Sequence, residues 1–204
     1  MIDELPVPHG VAMLRAFLNT LDAQTGHDDL ATDTGTTRWL TRQRLVPPGT
    51  QFDERDRARL LEVREALSQV VAGNGGDSVD RRAVTTLNEA ARRIRLGVRL
   101  HPDDGYRMIA EGPGMDRPIG ELLLRVMGSI NAGTWARLKL CANPDCGQAF
   151  YDSSRNRSGR WCSMARCGNR MKGRAYRRRV AETAGRTPAS RPVESSAERV
   201  AVAS

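Results

Sequence analysis

The chain of 204 residues carries 32 Lys and Arg against 24 Asp and Glu, a formal charge of +8, with 39% apolar and 27% charged residues. That length accommodates one ordinary domain plus one small module and is too great for a lone metal finger, while the composition excludes a chain disordered throughout. No run approaches the eighteen or more apolar residues that span a bilayer, and Met1 to Pro8 is acidic where a signal peptide would be basic, so a cytosolic protein without membrane association is expected.

In chain order, Val11, Leu14, Phe17, Leu18 and Leu21 recur at helical spacing and predict a short amphipathic helix. A second helical piece is expected around Trp39, Leu40 and Leu45, before Pro47 and Pro48. Asp53 can cap a longer helix to Ala72, with Leu60, Leu61, Arg64, Leu67, Val70 and Val71 on one side, ended by Gly73-Asn74-Gly75-Gly76. The next helix, Asp80 to about Arg95, is expected to bury Val84, Leu87, Ala91 and Ile94. The period then changes to two. Leu96, Val98 and Leu100 alternate with Gly97 and Arg99, and Tyr106 to Ala110 follows a Pro102-Asp103-Asp104-Gly105 turn, which predicts a β-hairpin. Helical spacing returns from Ile119 to about Leu138, with Leu122, Leu123, Val126, Met127, Ile130 and Trp135 inward. After Arg186 the chain turns to Pro, Ser, Ala, Glu and Arg with little periodicity, and 186–204 reads as a disordered tail. Asp28, Asp29 and Asp33 among Thr32, Thr34, Thr36 and Thr37 read as a polar loop between helices.

The basic excess is local. Between Arg137 and Arg179 twelve Lys and Arg face two acids, Asp145 and Asp152, so that stretch is +10 and the remainder −2. The same stretch holds all four cysteines, spaced Cys141-x4-Cys146, fifteen residues, then Cys162-x4-Cys167. In a reducing compartment such a cluster supplies thiolate ligands rather than disulfides. Two close pairs separated by a loop can furnish the corners of one tetrahedral zinc site, and four thiolates leave no position for water, so the metal is expected to be structural. Iron is the alternative occupant by ligand softness. Ala142-Asn143-Pro144-Asp145 and Gly147 suit a knuckle, and Leu138 to Leu140 and Gln148 to Tyr151 suit short paired strands. From Ser163 to Arg179 good helix formers predominate. Knuckle, hairpin and ligand-bearing helix predict a treble-clef-like module over 137–182, following a mainly helical α+β domain over 8–136 with one β-hairpin.

On the zinc-bearing helix Met164, Cys167, Met171 and Ala175 share the metal-side stripe, whereas Arg166, Arg170, Arg174 and Arg177 share another face bordered by Asn169. Such a face fits phosphates or the base edges of a major groove. Arg155, Arg157 and Arg160 in the loop, with Lys172 and Arg178, complete the candidate nucleic-acid set. An Arg stripe alone is more often a solvated face; its coincidence with a zinc scaffold and a local excess of charge favours nucleic acid. Phe150, Tyr151 and Trp161 could stack on bases, but a small zinc module needs aromatic core, and that role is expected.

Leu140-Cys141, Cys146-Gly147, Phe150, Asp152, Arg160-Trp161-Cys162-Ser163-Met164 and, above all, Cys167-Gly168-Asn169-Arg170 followed by Lys172, Tyr176 and Arg177 closely resemble the CGNR zinc finger. Phe17-Leu18-Asn19-Thr20-Leu21, the Trp39-Leu40 helix and the Arg-rich helix after Asp53 resemble the ABATE domain that accompanies it in bacterial stress-induced transcription regulators, with Ala16 where the usual pattern has Asp. The resemblance implies DNA binding by the finger and a sensing or oligomerising role for the N-terminal domain; a homodimer and a small-molecule ligand are compatible with it. A DNA-binding regulator rather than an enzyme is therefore expected, because a nuclease would need a water-activating base and an open metal position, and His9, His27 and His101 all lie outside the module. An RNA-binding or protein-interaction module stapled by zinc is the alternative.

Overall fold

A computed structural model describes residues 7–102 and 105–184; the expected tail at 186–204 lies outside them. The chain begins with α1 (His9–Leu18), a two-residue hairpin β1 (Leu21–Asp22) and β2 (His27–Asp28), then α2 (Asp33–Arg42) and α3 (Glu54–Ala72). It continues through α4 (Arg81–Arg92), the hairpin β3 (Arg95–His101) and β4 (Gly105–Glu111), and α5 (Asp116–Asn131). The zinc module holds the pair β5 (Leu138–Leu140) and β6 (Ala149–Tyr151), a π-turn over Met164–Gly168, and α6 (Asn169–Ala184).

Side chains seed the helix starts, at Asp53 as expected and also at Asp80 and Thr32. Asp53 accepts from the Asp56 amide at 2.8 Å, Asp80 from the Arg82 amide at 2.8 Å and Thr32 from the Gly35 amide at 3.0 Å, each satisfying a donor that the first turn leaves free. One core then forms where α1, α2, α3 and α5 meet: Leu14, Phe17, Trp39, Leu40, Leu60, Leu67, Ile119 and Leu122 are all buried. The Phe17 and Trp39 rings lie 5.5 Å apart at 46°. Each such side chain contributes roughly 1.5 to 3 kcal/mol of burial.

Several helix faces differ from the periodic expectation. Leu21 leaves the helix and sits in β1, 42% exposed. Leu45 is buried, but past the end of α2, after Arg44 has taken a left-handed φ of 57°. On α3 the buried stripe runs through Leu60, Val63, Ala66, Leu67 and Val71, and Arg64 serves a polar task beside it. On α4, which packs on α3, Val84 and Ala91 face solvent and Ala83 and Ala90 face the protein in their place, whereas Leu87 and, just past the helix, Ile94 face inward as expected. Helix α5 starts at Asp116 and stops at Asn131 because Gly133 turns the chain with φ of 66°; Trp135–Arg137 is a short 3-10 turn, and Met127 and Ile130 are exposed.

The polar segment around Asp28 is more than a loop. The Arg64 guanidinium donates to both Asp28 carboxylate oxygens at 2.6 and 2.7 Å and to Thr20 Oγ1 at 2.8 Å, tying the β1–β2 hairpin to α3. Burial acts to raise the Asp28 carboxyl, but its bonds with Arg64 and the Leu30 amide outweigh it and hold the group below the usual carboxylate range. Asp33 similarly receives Arg57 at 2.9 Å.

The junction near residue 136 is a packed seam. Leu138 and Ala149 of the zinc module lie in the same core as Phe17 and Leu67, with Trp135, Leu140 and Tyr151 packed against it. Asn19 acts as a clamp: its Nδ2 donates to the Ala149 carbonyl at 2.9 Å and its Oδ1 accepts the Ala149 amide at 2.7 Å, so a side-chain amide completes the open edge of β6. Asn74 donates to the carbonyls of Trp135 at 3.0 Å and Leu138 at 2.9 Å. Asn19→Ala leaves both Ala149 groups without their partners; a loss of about 1 to 3 kcal/mol is expected in urea unfolding, with zinc content unchanged. A stability equal to the parent's would show that the clamp contributes nothing.

Candidate metal centre and nucleic-acid interface

The first cysteine pair is presented by the turn that joins β5 to β6. The Cys141 amide donates to the Gln148 carbonyl at 2.9 Å and the Cys146 amide to the Asn143 carbonyl at 2.9 Å, and Gly147 carries the φ of 64° that closes the knuckle. Of the second pair, Cys162 precedes the π-turn and Cys167 lies within it, and the turn's start is capped by Ser163 accepting from the Arg166 amide at 3.4 Å. Both the Cys167 and Gly168 amides donate to the Ser163 carbonyl, at 3.0 and 3.1 Å, which widens this turn by one residue.

The four Sγ atoms lie within 4.8 Å of one another. Cys146 to Cys162 is 3.6 Å and Cys162 to Cys167 is 3.7 Å. A tetrahedron with Zn–S bonds of about 2.3 Å has edges of about 3.8 Å, so the sulfurs stand where one zinc ion needs them. Charge balance agrees. Burial pushes the Cys141 thiol up and, with the neighbouring sulfurs, pushes Cys162 up strongly, whereas the Asn143 side-chain amide, donating to Cys167 Sγ at 3.5 Å, draws Cys167 down to about 7. The quartet on its own resists carrying four negative charges; a divalent cation removes that resistance. Asn143, fully buried, is the one ligand-supporting side chain that its turn position only hinted at.

Gly168 of the Cys-Gly-Asn-Arg stretch lies in a close-packed spot, where any side chain would displace the flexible end of Met164. A Cβ there would stand 2.6 Å from Met164 Sδ and 3.1 Å from Trp161 Cδ1. Trp161 packs against the cysteines, with the Arg160 guanidinium 5.3 Å from its ring centroid, and Phe150 is buried, so both aromatics serve the module's interior as expected.

The basic residues divide into two sets. Lys139 is buried: its Nζ donates to Asp152 Oδ2 at 2.7 Å and to the carbonyls of Arg157 and Gly159. Arg137 donates to the carbonyls of Asp152 and Ser154, both at 2.8 Å. Asp152 in turn accepts from Ser154 Oγ at 2.6 Å and the Gly159 amide at 2.8 Å. These groups shape the loop that exposes Arg155, Arg157 and Arg160, with Arg157 in a left-handed φ of 52°. Part of the basic excess is therefore spent inward, which net charge by itself does not disclose.

On α6 the expected single stripe is broken by the π-turn. Cys167 and Gly168 are buried, Met171 and Ala175 are half-buried and Met164 is 49% exposed, because the extra residue rotates the positions before the turn relative to those after it. Arg166, Asn169, Arg170, Lys172, Arg174, Arg177 and Arg178 are all exposed. Two have protein partners. Arg174 meets Asp145 of the knuckle at 2.8 Å and so braces the helix, a correction to its expected place in an open row, and Arg178 lies 3.7 Å from Glu182. Arg170, Lys172 and Arg177 have no carboxylate partner among the described residues.

Fold and site together define a helical domain with a four-cysteine zinc finger seated on it. The chain belongs to the ABATE family: that family's model, described as "Putative stress-induced transcription regulator", matches residues 12–126, and the CGNR zinc finger model matches residues 137–180. No curated protein matches the chain. Among the described residues no helix is long and apolar enough to cross a membrane.

Proposed function

We propose that this protein is a DNA-binding transcription regulator, not an enzyme, in which one structural zinc ion fixes α6 so that its arginines meet duplex DNA. The observation that carries the reading is the state of α6. It is anchored by the buried Cys167 and Gly168 of the π-turn that leads into it, and from there it presents Arg170, Lys172 and Arg177 to solvent without carboxylate partners among the described residues. The loop between β6 and the second cysteine pair adds the exposed Arg155, Arg157 and Arg160. Zinc would be held by Cys141, Cys146, Cys162 and Cys167, and its closed thiolate shell supplies rigidity rather than a reactive water. The packed seam with the N-terminal domain makes that domain the natural source of any signal that changes how the finger is presented.

Fluorescence anisotropy of the zinc-loaded chain with duplex DNA and with structured RNA, over a range of salt, tests the reading. Binding should prefer DNA and weaken steeply with salt, since each neutralised phosphate releases counterions. Arg170→Ala is expected to weaken the complex by about 1 to 3 kcal/mol and relax selectivity at one position if it reads a base, or to lower the salt slope by about 1 if it contacts phosphate. A preference for RNA, or binding that survives zinc removal unchanged, would overturn the proposal.

A further inference from the structure

Among the described residues the β3–β4 hairpin is a ribbon of two strands with no third strand beside it. Such a ribbon is marginal unless one face is covered. Its register places Leu96 opposite Ala110, Val98 opposite Met108 and Leu100 opposite Tyr106, so all six share one face. At the base this face is covered: Ala110 is buried and sits against Gly120 of α5, whose added Cβ would meet it at 2.5 Å. Beyond Ala110 it is bare, with Leu96 beside the base 48% exposed and, nearer the turn, Val98 63%, Leu100 78%, Tyr106 69% and Met108 40% exposed.

We propose that this apolar ribbon face is the surface on which two copies of the chain pair. The reverse face of the ribbon sets Arg99 opposite Arg107, a like-charge pair that belongs in water. Among the described residues the six side chains of this face carry no carboxylate or amine, so bringing these side chains of two copies together opposes no like charges. From their exposed fractions its five large side chains offer about 500 Å², in the range of the largest apolar patch on a typical monomer. Two copies would cover about 1,000 Å² through these residues alone, which is the threshold for a specific interface before the rim is added.

Sedimentation equilibrium of the zinc-loaded full chain, without DNA, tests the pairing independently of the nucleic-acid reading. The parent should run near twice its 22.5 kDa chain mass over a hundredfold dilution, falling toward the single mass only at the lowest concentrations. Val98→Lys combined with Leu100→Lys should give the single mass at every concentration, with circular dichroism and zinc content unchanged. Arg99→Ser, on the reverse face, should leave the double mass in place. A parent that is monomeric throughout, whether because another segment or another protein covers the ribbon, overturns the proposal. So does a double variant that still pairs.

Discussion

Replacing Cys146 with Ser should abolish stoichiometric zinc binding and unfold the finger, the largest single effect expected in this protein. Cys146 is fully buried, and its sulfur stands 3.6 Å from that of Cys162, so the substitution removes a corner of the tetrahedron without room for a substitute ligand. Structural zinc contributes an apparent binding free energy of about 10 to 16 kcal/mol in small modules, as much as the whole stability of an ordinary domain. Little else holds the finger's helix: beyond Met171 most of α6 is exposed, and Trp161 packs chiefly on the cysteines. The far-ultraviolet signal should therefore drop by the share belonging to α6, and the signal from α1, α3 and α5, whose core forms around Phe17 and Leu67, should persist. Chelation of the parent should reproduce the same loss. A Cys146→Ser chain that keeps one zinc and the parental melting curve would show that the metal is held elsewhere.

Asp152→Ala is expected to destabilise the module by about 3 to 5 kcal/mol, the usual penalty for leaving one partner of a buried ion pair alone. Asp152 has only 2% of its side chain exposed and Lys139 only 9%. Burial acts to raise the Asp152 carboxyl, yet its bonds to Lys139, Ser154 and the Gly159 amide prevail and hold it below the usual carboxylate range. Without it the Lys139 ammonium keeps two backbone carbonyls and loses its counter-charge. Urea unfolding of zinc-loaded protein measures the effect. Lys139→Met combined with Asp152→Leu should recover much of the loss, since a buried pair is hard to break by halves but tolerates replacement as a whole. A single variant within about 0.5 kcal/mol of the parent would rule out the pair as the organiser of the Arg155 to Arg160 loop.

Much of this was legible in one dimension. The Cys-x4-Cys pairs gave away the metal because sulfur ligands at that spacing have few other uses, and the caps at Asp53 and Asp80 marked helix starts because the groups they satisfy are local. The hairpin at Leu96 to Ala110 was readable for a similar reason: alternation and turn residues are near-neighbour signals. Faces were harder. Val84 and Ala91 obey the same helical period as Ala83, Leu87 and Ala90, and only the position of α3 decides which set is inward. The β1–β2 hairpin is two residues per strand, too short to carry a period, and is held by Arg64 from 36 positions away.

The sequence by itself determined the zinc ligands, most of the helices, the β3–β4 hairpin and the concentration of positive charge beside the cysteines, since each rests on interactions between residues close along the chain. Only the tertiary structure decided which of those charges remain free. Lys139 and Arg137 turn inward to shape a loop, Arg174 meets Asp145, and Arg170 and Arg177 stay open, because partners are assigned by distance in space and not by composition. It also decided that Asn19, 130 residues from Ala149, joins the two halves into one packed body. A side-chain amide can complete the edge of a strand wherever the fold brings it, and no local pattern announces that meeting.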